Sequence, residues 1–393
     1  MLIGLVGKPS VGKSTFFKAA TLSEVEIASY PFTTIKANHG IGYVKLDCID
    51  KELNTQCTPA KGFCIEHNRF VPIEIMDVAG LVPGSSQGKG LGNKFLDDLR
   101  QADVFIHIID ISGETDMEGK PTEGHNPLED IKFLEKELDL WYLGILMRVW
   151  KSFSKKAEIE DTNFAAAVTK QFSGLKIKEE QVKEVLSKME SSERPSRWGE
   201  DILMDFASAL RKKSKPMIIA ANKIDKKNSE SNLKKIKEAM QDLEVIPCSA
   251  DSELALREAS KLGLIDYLPG SENFEIKAEL SKGQKEALDK IKANVLEIYG
   301  NTGMQEILNK AIFDLLRYIA IFPASANRLK DSKGRTLPDC FLLPKGSTAL
   351  DFAYFLHTDF GKNFIKAIDA KTKKAIGKEH ELKHRDALEI VSR

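Results

Sequence analysis

Gly7-Lys8-Pro9-Ser10-Val11-Gly12-Lys13-Ser14 follows directly on the apolar run Leu2-Ile3-Gly4-Leu5-Val6, and its reading decides the fold. It matches the spacing G-x-x-x-x-G-K-[ST], in which two glycines let the backbone close around a phosphate. The loop N–H groups and the N-terminus of a helix starting near Lys13 then face an anion. Lys13 supplies positive charge to the terminal phosphates, and the Ser14 hydroxyl is a ligand for Mg²⁺. Pro9, Ser10, Val11 and Thr15 complete the phosphate-binding set around Gly7 and Gly12. Alone, this loop does not separate a GTP site from an ATP site or from a small-molecule kinase.

Four further stretches come downstream, in a consistent order. The pair Thr33-Thr34 lies between the first and third motifs, and one of the two is expected to close over Mg²⁺ and the γ-phosphate. Thr34 is the preferred candidate. Asp77-Val78-Ala79-Gly80 ends a strand expected over Arg69 to Met76. Asp77 is placed to hold Mg²⁺ through water, and the Gly80 N–H to meet the γ-phosphate, whose loss would release the segment. Asn222-Lys223-Ile224-Asp225 follows the apolar run Pro216 to Ala221. The Asp225 carboxylate can accept from N1–H and the 2-amino group of guanine. Adenine has no 2-amino group and presents an acceptor at N1, so it leaves buried polar groups unpaired, a penalty of roughly 10⁴-fold by analogy with sites built around a required hydrogen bond. Asn222 is expected to brace neighbouring loops, and the Lys223 stem to lie along the base. Ser249-Ala250, after the next short strand, places a backbone N–H near guanine O6. The expected catalytic set is Lys13, Thr34 and Gly80, the metal set Ser14, Thr34 and Asp77, and the ligands GTP or GDP with Mg²⁺.

The bulk properties agree with this reading. The chain of 393 residues carries 58 basic and 58 acidic residues, so no global field draws it to nucleic acid or membrane. No apolar run approaches the roughly 20 residues needed to span a bilayer. The N-terminus lacks a basic leader region and a cleavage site, so it reads as a buried first strand. A cytoplasmic, monomeric protein is expected, without DNA as a partner. The five cysteines, Cys48, Cys57, Cys64, Cys248 and Cys340, are odd in number and scattered, which argues against a disulfide framework. Cys57, Cys64 and His67 are close in sequence but lack C-x-x-C spacing. They read as reduced thiols in a strand–loop–strand segment rather than as zinc ligands. His107 sits in an apolar strand and reads as a hydrogen-bonded core residue. No Ser-His-Asp or H-E-x-x-H pattern competes with the nucleotide motifs.

Strands expected at 2–6, 69–76, 103–110, 216–221 and 244–247 alternate with helical patterns. That order implies an α/β fold, a mostly parallel sheet with helices on both faces. The interval from Asp110 to Pro216 is too long for one crossover. It reads as an inserted helical subdomain at about 125–212, a hairpin or short coiled coil. Asn126 is a candidate cap and Pro127 takes the first turn. Helices are expected over Lys285 to Tyr299 and Gln305 to Tyr318, with Phe322-Pro323 as a breaker. A small α+β module then closes the chain, with strands near 339–344, 364–368 and 387–391 and a helix from Ala349 capped by a hydroxyl. The implied division is 1–275, a helical connector at 276–319, and a module at 320–393. Lys371, Lys373, Lys374, Lys378 and the 380–385 stretch are candidate RNA contacts.

These residues carry a family resemblance. Tyr30-Pro31-Phe32-Thr33-Thr34, Asp77 to Gly84, and Gly88-Lys89-Gly90-Leu91-Gly92-Asn93-Lys94-Phe95-Leu96 resemble the Obg-like GTPases, in their archaeal YchF-related branch. The stretches Asp351-Phe352-Ala353-Tyr354 and Leu356-His357-Thr358-Asp359-Phe360 resemble a TGS domain, a ubiquitin-like module. The chain starts at the first strand, so no glycine-rich Obg domain is expected ahead of it. The resemblance implies a P-loop G domain at 1–275, a TGS domain at 320–393, and a GTPase associated with the ribosome or rRNA. Some YchF relatives have lost Asn-Lys-x-Asp and prefer ATP. Asn222 to Asp225 are present here, so GTP is expected. YchF relatives also tend to carry a histidine where this chain has Ser86. Leu81 stands where many small GTPases have a water-orienting glutamine, and Gln87 is out of register. Slow intrinsic hydrolysis, completed by a partner, is therefore expected. An ATPase or broad nucleotide hydrolase, and a nucleotide-stabilised RNA scaffold, remain as rival readings.

Overall fold

In the computed structural model, the described residues are 1–22, 38–78, 80, 84, 99–160, 163–189, 194–325, 329–331 and 333–393. Thr33, Thr34, Ala79, Leu81, Ser86 and Gln87 lie outside them. The strands in chain order are β1 (Leu2–Val6), β2 (His39–Asp47), β3 (Phe63–Ile65), β4 (Asn68–Asp77), β5 (Val104–Asp110), β6 (Met217–Asn222), β7 (Val245–Pro247), β8 (Ile265–Asp266) and β9 (Glu275–Ile276). After these come β10 (Tyr318–Pro323), β11 (Phe341–Pro344), β12 (Phe364–Asp369), β13 (Ala375–Ile376) and β14 (Asp386–Ser392). The chain divides into two compact units. One comprises Met1–Ala19, Ala37–Gly40 and Glu74–Ile307, and the other Ala20–Lys36, Ile41–Ile73 and Leu308–Arg393.

In the first unit, parallel strands run in the order β4-β1-β5-β6-β7. β1, β5 and β6 are buried along their whole length. This is why their sequences are continuous apolar runs rather than alternating ones. Parallel register lines up the strand ends that carry the motifs. Leu5 lies opposite Asp77 and Ile106, and Asp110 opposite Asn222. The first, third, fourth and fifth motifs therefore emerge at the same carboxyl edge of the sheet, where open α/β sheets bind ligands.

Among the described residues, the long interval after β5 folds into five α-helices, Pro127–Met147, Trp150–Ile159, Phe164–Gln171, Glu179–Lys188 and Glu200–Ser214. Asn126 accepts from the Leu128 N–H at the first of them, with Pro127 in its first turn. The stretch is neither a hairpin nor a coiled coil. Leu138, Tyr142, Leu146, Phe206 and Leu210 share one buried cluster with Leu2, Val6, Phe105 and Ile109 of the sheet. An aromatic group closes the far part: Trp150 stacks on Trp198 with ring centroids 5.5 Å apart, and Phe206 lies 5.5 Å from Trp150. Aromatic residues scattered over several short helices form a globular knot, whereas a coiled coil needs an unbroken heptad stripe.

One expected helix ends early. Helical structure covers Met304–Lys310 and continues as a wider π-turn over Ala311–Leu315. Arg317 then takes a left-handed φ of 56° and stops it. Tyr318 to Pro323, expected as helix end and breaker, form β10 instead. β10 pairs antiparallel with β11 and parallel with β14, so partners on both sides fix the stretch as a strand. The second unit's sheet runs β11-β10-β14-β12-β13. It packs Ile319, Ile321, Leu343, Ala367 and Leu388 against Phe352 of the helix Ala349–Leu356. Thr348 Oγ1 caps that helix by accepting from the Asp351 N–H, and the Thr348 N–H donates in return to the Asp351 carboxylate. Elsewhere in this unit β3 pairs antiparallel with β4.

Phe206 is fully buried in both the aromatic knot and the sheet-facing core. Phe206→Ala is expected to destabilise the first unit by about 3–5 kcal/mol. Denaturant unfolding followed by tryptophan fluorescence checks this, since the probe residues Trp150 and Trp198 pack directly on Phe206.

Candidate nucleotide site

β1 ends at Val6, and the chain turns through Gly7 with φ of 150° and Gly12 with φ of 93° into the helix Lys13–Thr21. Neither glycine can carry a side chain. A Cβ on Gly7 would meet the Ile108 carbonyl at 2.4 Å, and one on Gly12 would meet Asn222 Nδ2 at 2.4 Å. Ser10 is left-handed as well, with φ of 62°. Ser10, Gly12, Lys13, Ser14, Thr15, Asn222 and Lys223 line a cavity of about 360 Å³ at this turn.

Lys13 is buried, and its Nζ donates to the Lys8 carbonyl at 2.7 Å. Burial lowers its pKa to about 8, against the opposing pull of Asp77. Ser14 Oγ donates to Asp77 Oδ2 at 3.0 Å. Burial raises Asp77 above its ordinary value despite the Ser14 bond and the nearby Lys13 charge. A half-buried carboxylate and an exposed hydroxyl side by side form a hard oxygen pair that fits Mg²⁺, and the cation would reverse the cost of charging Asp77. Gly80 faces the same loop, where an added Cβ would lie 3.2 Å from Pro9 and 3.3 Å from Lys13 Nζ.

Asn222 joins the two halves of the site. It is 3% exposed; its Nδ2 donates to the Val11 carbonyl at 2.8 Å, and its Oδ1 accepts from the Ala250 N–H at 2.9 Å. Lys223 is left-handed, with φ of 66°. Its Nζ donates to the Ser10 carbonyl at 3.0 Å and pairs with Asp110 at 2.9 Å. Ser249 Oγ donates to Asp225 Oδ1 at 2.9 Å and caps the helix Ala250–Lys261. The structure thus brings Gly7, Pro9, Ser10, Val11, Gly12, Lys13, Ser14, Thr15, Asp77, Gly80, Asn222, Lys223, Asp225, Ser249 and Ala250 to one edge. Thr34 lies outside the described residues.

Several supporting residues escaped the sequence reading. Asp110 is buried. Burial alone would raise its pKa, but hydrogen bonds from Ser112, Lys223 and Thr115 hold it below the ordinary value. It anchors the Lys223 ammonium, and its place at a strand end was the available signal. Lys8 turns away from the cavity to the Thr115 carbonyl at 2.7 Å and Asp130 at 2.8 Å. Thr302 accepts the Ser249 N–H through its carbonyl at 3.0 Å, so a segment far along the chain supports the turn of the fifth motif. His107 is buried, but its Nδ1 has no hydrogen-bond partner among the described residues, contrary to expectation. Burial and the nearby lysines lower its pKa to about 3, so it stays neutral.

Comparison with known proteins agrees with this geometry. A family model described as a 50S ribosome-binding GTPase matches residues 2–140. Residues 220–325 match the G4 motif-containing domain of Obg-like GTPases, and residues 329–392 match the TGS domain. The chain is 48% identical to an uncharacterized GTP-binding protein of Methanocaldococcus jannaschii, covering all of this chain and 99% of that one. The chain belongs to the YchF/Obg-like GTPase family. A GTP-binding protein from Pyrococcus horikoshii has a crystal structure that matches over the full length of both chains, with 39% identity and a TM-score of 0.80. The ribosome-binding ATPase YchF of Bacillus subtilis is 29% identical over 93% of this chain and 87% of that one. Family membership makes the chain a GTP-binding protein with a P-loop G domain and a C-terminal TGS domain. Among the described residues no helix is long and apolar enough to cross a membrane.

The depressed Lys13 pKa sets a pH dependence. Free protein loses the Lys13 charge above about pH 8, whereas bound phosphates favour the charged form. Nucleotide binding then takes up a proton, so affinity falls as pH rises, by up to about tenfold between pH 8 and 9. Below about pH 8 this group contributes no slope. Fluorescence titration of wild type against Lys13→Gln checks this, with the slope expected only in wild type. Equal slopes would assign it to the guanine base instead.

Proposed function

We propose that this protein is a guanine-specific molecular switch that hydrolyses GTP slowly by itself and works in association with the ribosome. The observation that carries guanine specificity is the Asn222 bridge. It ties Val11 of the phosphate loop to Ala250, beside the bond from Ser249 to Asp225. Phosphate-binding and base-reading groups are thereby held as one rigid set. Guanine would place N1–H and its 2-amino group on the Asp225 carboxylate.

Hydrolysis would be in-line attack of water on the γ-phosphate. Lys13 would neutralise charge on the β- and γ-phosphates, and the Gly80 N–H and Thr34 would contact the γ-phosphate. Mg²⁺, held by Ser14, Asp77 and Thr34, would supply further neutralisation of developing charge. The residue after Gly80 is Leu81, which has no polar atom to orient water, so a partner would complete the machinery. Ribosome association is supported by the description of the matched G-domain family and by the name of the Bacillus relative. The TGS module and the helices between β5 and β6 are the natural docking elements. The protein would act in the cytoplasm as a monomer.

The name of that same relative favours ATP as the rival nucleotide. Competition against a fluescent-labelled GDP would decide between them. GTP and GDP are expected to displace the label far better than ATP, and equal displacement would favour the broad hydrolase. Asp225→Asn should weaken GTP by about 100-fold or more. The same change should admit XTP, whose 2-oxo group accepts from the new amide. Co-sedimentation of the full chain with ribosomes, with a non-hydrolysable GTP analogue against GDP, tests the switch. Pelleting that needs the analogue is expected. Equal pelleting would indicate a scaffold, and none would exclude the ribosome.

A further inference from the structure

Within the second unit, the chain between β2 and β4 gathers three cysteines and an aspartate. Cys48 follows β2, Asp50 and Cys57 lie in the connecting turns, and Cys64 sits on β3. The three sulfurs and one Asp50 oxygen lie within 4.8 Å of one another. Cys48 Sγ is 3.5 Å from Cys57 Sγ, and Cys64 Sγ is 3.9 Å from Asp50 Oδ2. Zinc bonds of about 2.3 Å to sulfur and about 2.1 Å to oxygen make a tetrahedron with edges of about 3.5–3.8 Å. The two edges of 3.5 and 3.9 Å fall close to those values, and the remaining edges are no longer than 4.8 Å. Cys48, Cys57 and Asp50 are buried and Cys64 is half-buried, as suits a closed structural site.

We propose that Cys48, Asp50, Cys57 and Cys64 form a structural zinc site of the Cys₃Asp type. The surroundings hold the ligands from outside. Asp50 is 0% exposed; its Oδ1 meets His67 Nδ1 at 2.9 Å, and its Oδ2 accepts the Cys57 N–H at 3.0 Å. The Cys48 N–H donates to the His67 carbonyl at 2.7 Å. The hairpin joining β3 to β4 turns on Glu66 and His67, with φ of 47° and 62°. Two non-glycine residues in the left-handed region cost about 1 kcal/mol or more each, and the Asp50–His67 and Cys48–His67 bonds hold that turn shut.

Charge balance supports the assignment. Three thiolates and a carboxylate around Zn²⁺ leave a net charge of −2. Arg69 is fully buried, and its Nη1 lies 3.6 Å from Cys57 Sγ. It also donates to the Leu337 and Pro338 carbonyls, at 3.1 and 2.9 Å. A buried guanidinium needs a counter-charge, and among its hydrogen-bond partners Cys57 Sγ is the group that can carry one. Through Arg69 the site would tie the 41–73 segment to the 329–393 segment of the same unit. Zinc binding would expel the thiol protons, so it would strengthen with pH.

The test uses the full chain, with Zn²⁺ and Co²⁺ as probes. Protein purified without chelator is expected to hold one zinc per chain. Co²⁺ replacement is expected to give intense tetrahedral visible bands and a thiolate charge-transfer band. Cys64→Ser should lower zinc affinity by about tenfold or more, and His67→Ala, which acts through Asp50, by about 10–100-fold. Asp50→Cys should keep the zinc and strengthen the charge-transfer band, a readout that mere loss of folding cannot mimic. Metal-free protein with all three thiols titratable would overturn the proposal. A Cys48–Cys57 disulfide, or Co²⁺ spectra of octahedral type, would overturn it as well.

Discussion

The nucleotide site depends on one buried amide. Asn222 spends both ends of its side chain on backbone, the Val11 carbonyl on one side and the Ala250 N–H on the other. A buried polar group left unpaired costs about 1–3 kcal/mol, so neither loop can drift without losing a satisfied bond. Gly12 sits so close to that amide that no side chain is possible there. The phosphate loop, the base-reading turn and the glycine are thus three expressions of one packing constraint. Parallel register supplies the rest by ending β5 and β6 level with each other, so that Asp110 reaches Lys223.

Charge is handled in two contrasting ways. Around the cavity, Lys13 is buried and Asp77 half-buried, and both are pushed toward neutrality, which leaves the site poised for a ligand carrying phosphate and a divalent cation. Below it, Asp110 is held charged by three side-chain donors and works as a fixed post. The first arrangement costs stability in the free protein and favours binding. The second is structural, and it orients Lys223 whatever the nucleotide state. The cluster near Arg69 follows the second pattern, with a buried cation set against sulfur and carbonyl oxygen.

The G-domain motifs were legible because each is local. A glycine needed for a tight turn, a strand end followed by Asp, and a strand followed by Asn-Lys-x-Asp are all read within a few residues. The buried strands were legible for the same reason, since full burial writes a continuous apolar run. The Tyr318 to Pro323 strand was not. Tyr318 read as a helix end and Phe322-Pro323 as a breaker, and only pairing with β11 and β14 makes the stretch a strand. The helices between β5 and β6 were seen as helices, but the core they share with the sheet was not, because side-chain partners such as Tyr142 and Phe105 are far apart in sequence.

The sequence by itself determined the identity and order of the nucleotide motifs, the parallel α/β character and the capped helix at Ala349. It could do so because short-range backbone geometry and burial dictate those residue types. Only the tertiary structure decided that Thr302 supports the Ser249 turn and that Lys8 faces Asp130 rather than the cavity. It also decided that Cys48 and Asp50 stand beside Cys57 and Cys64. The spacing of those four residues follows no familiar ligand pattern. They meet because two connecting turns and a hairpin fold back on one another, and such long-range closure leaves no local mark on the chain.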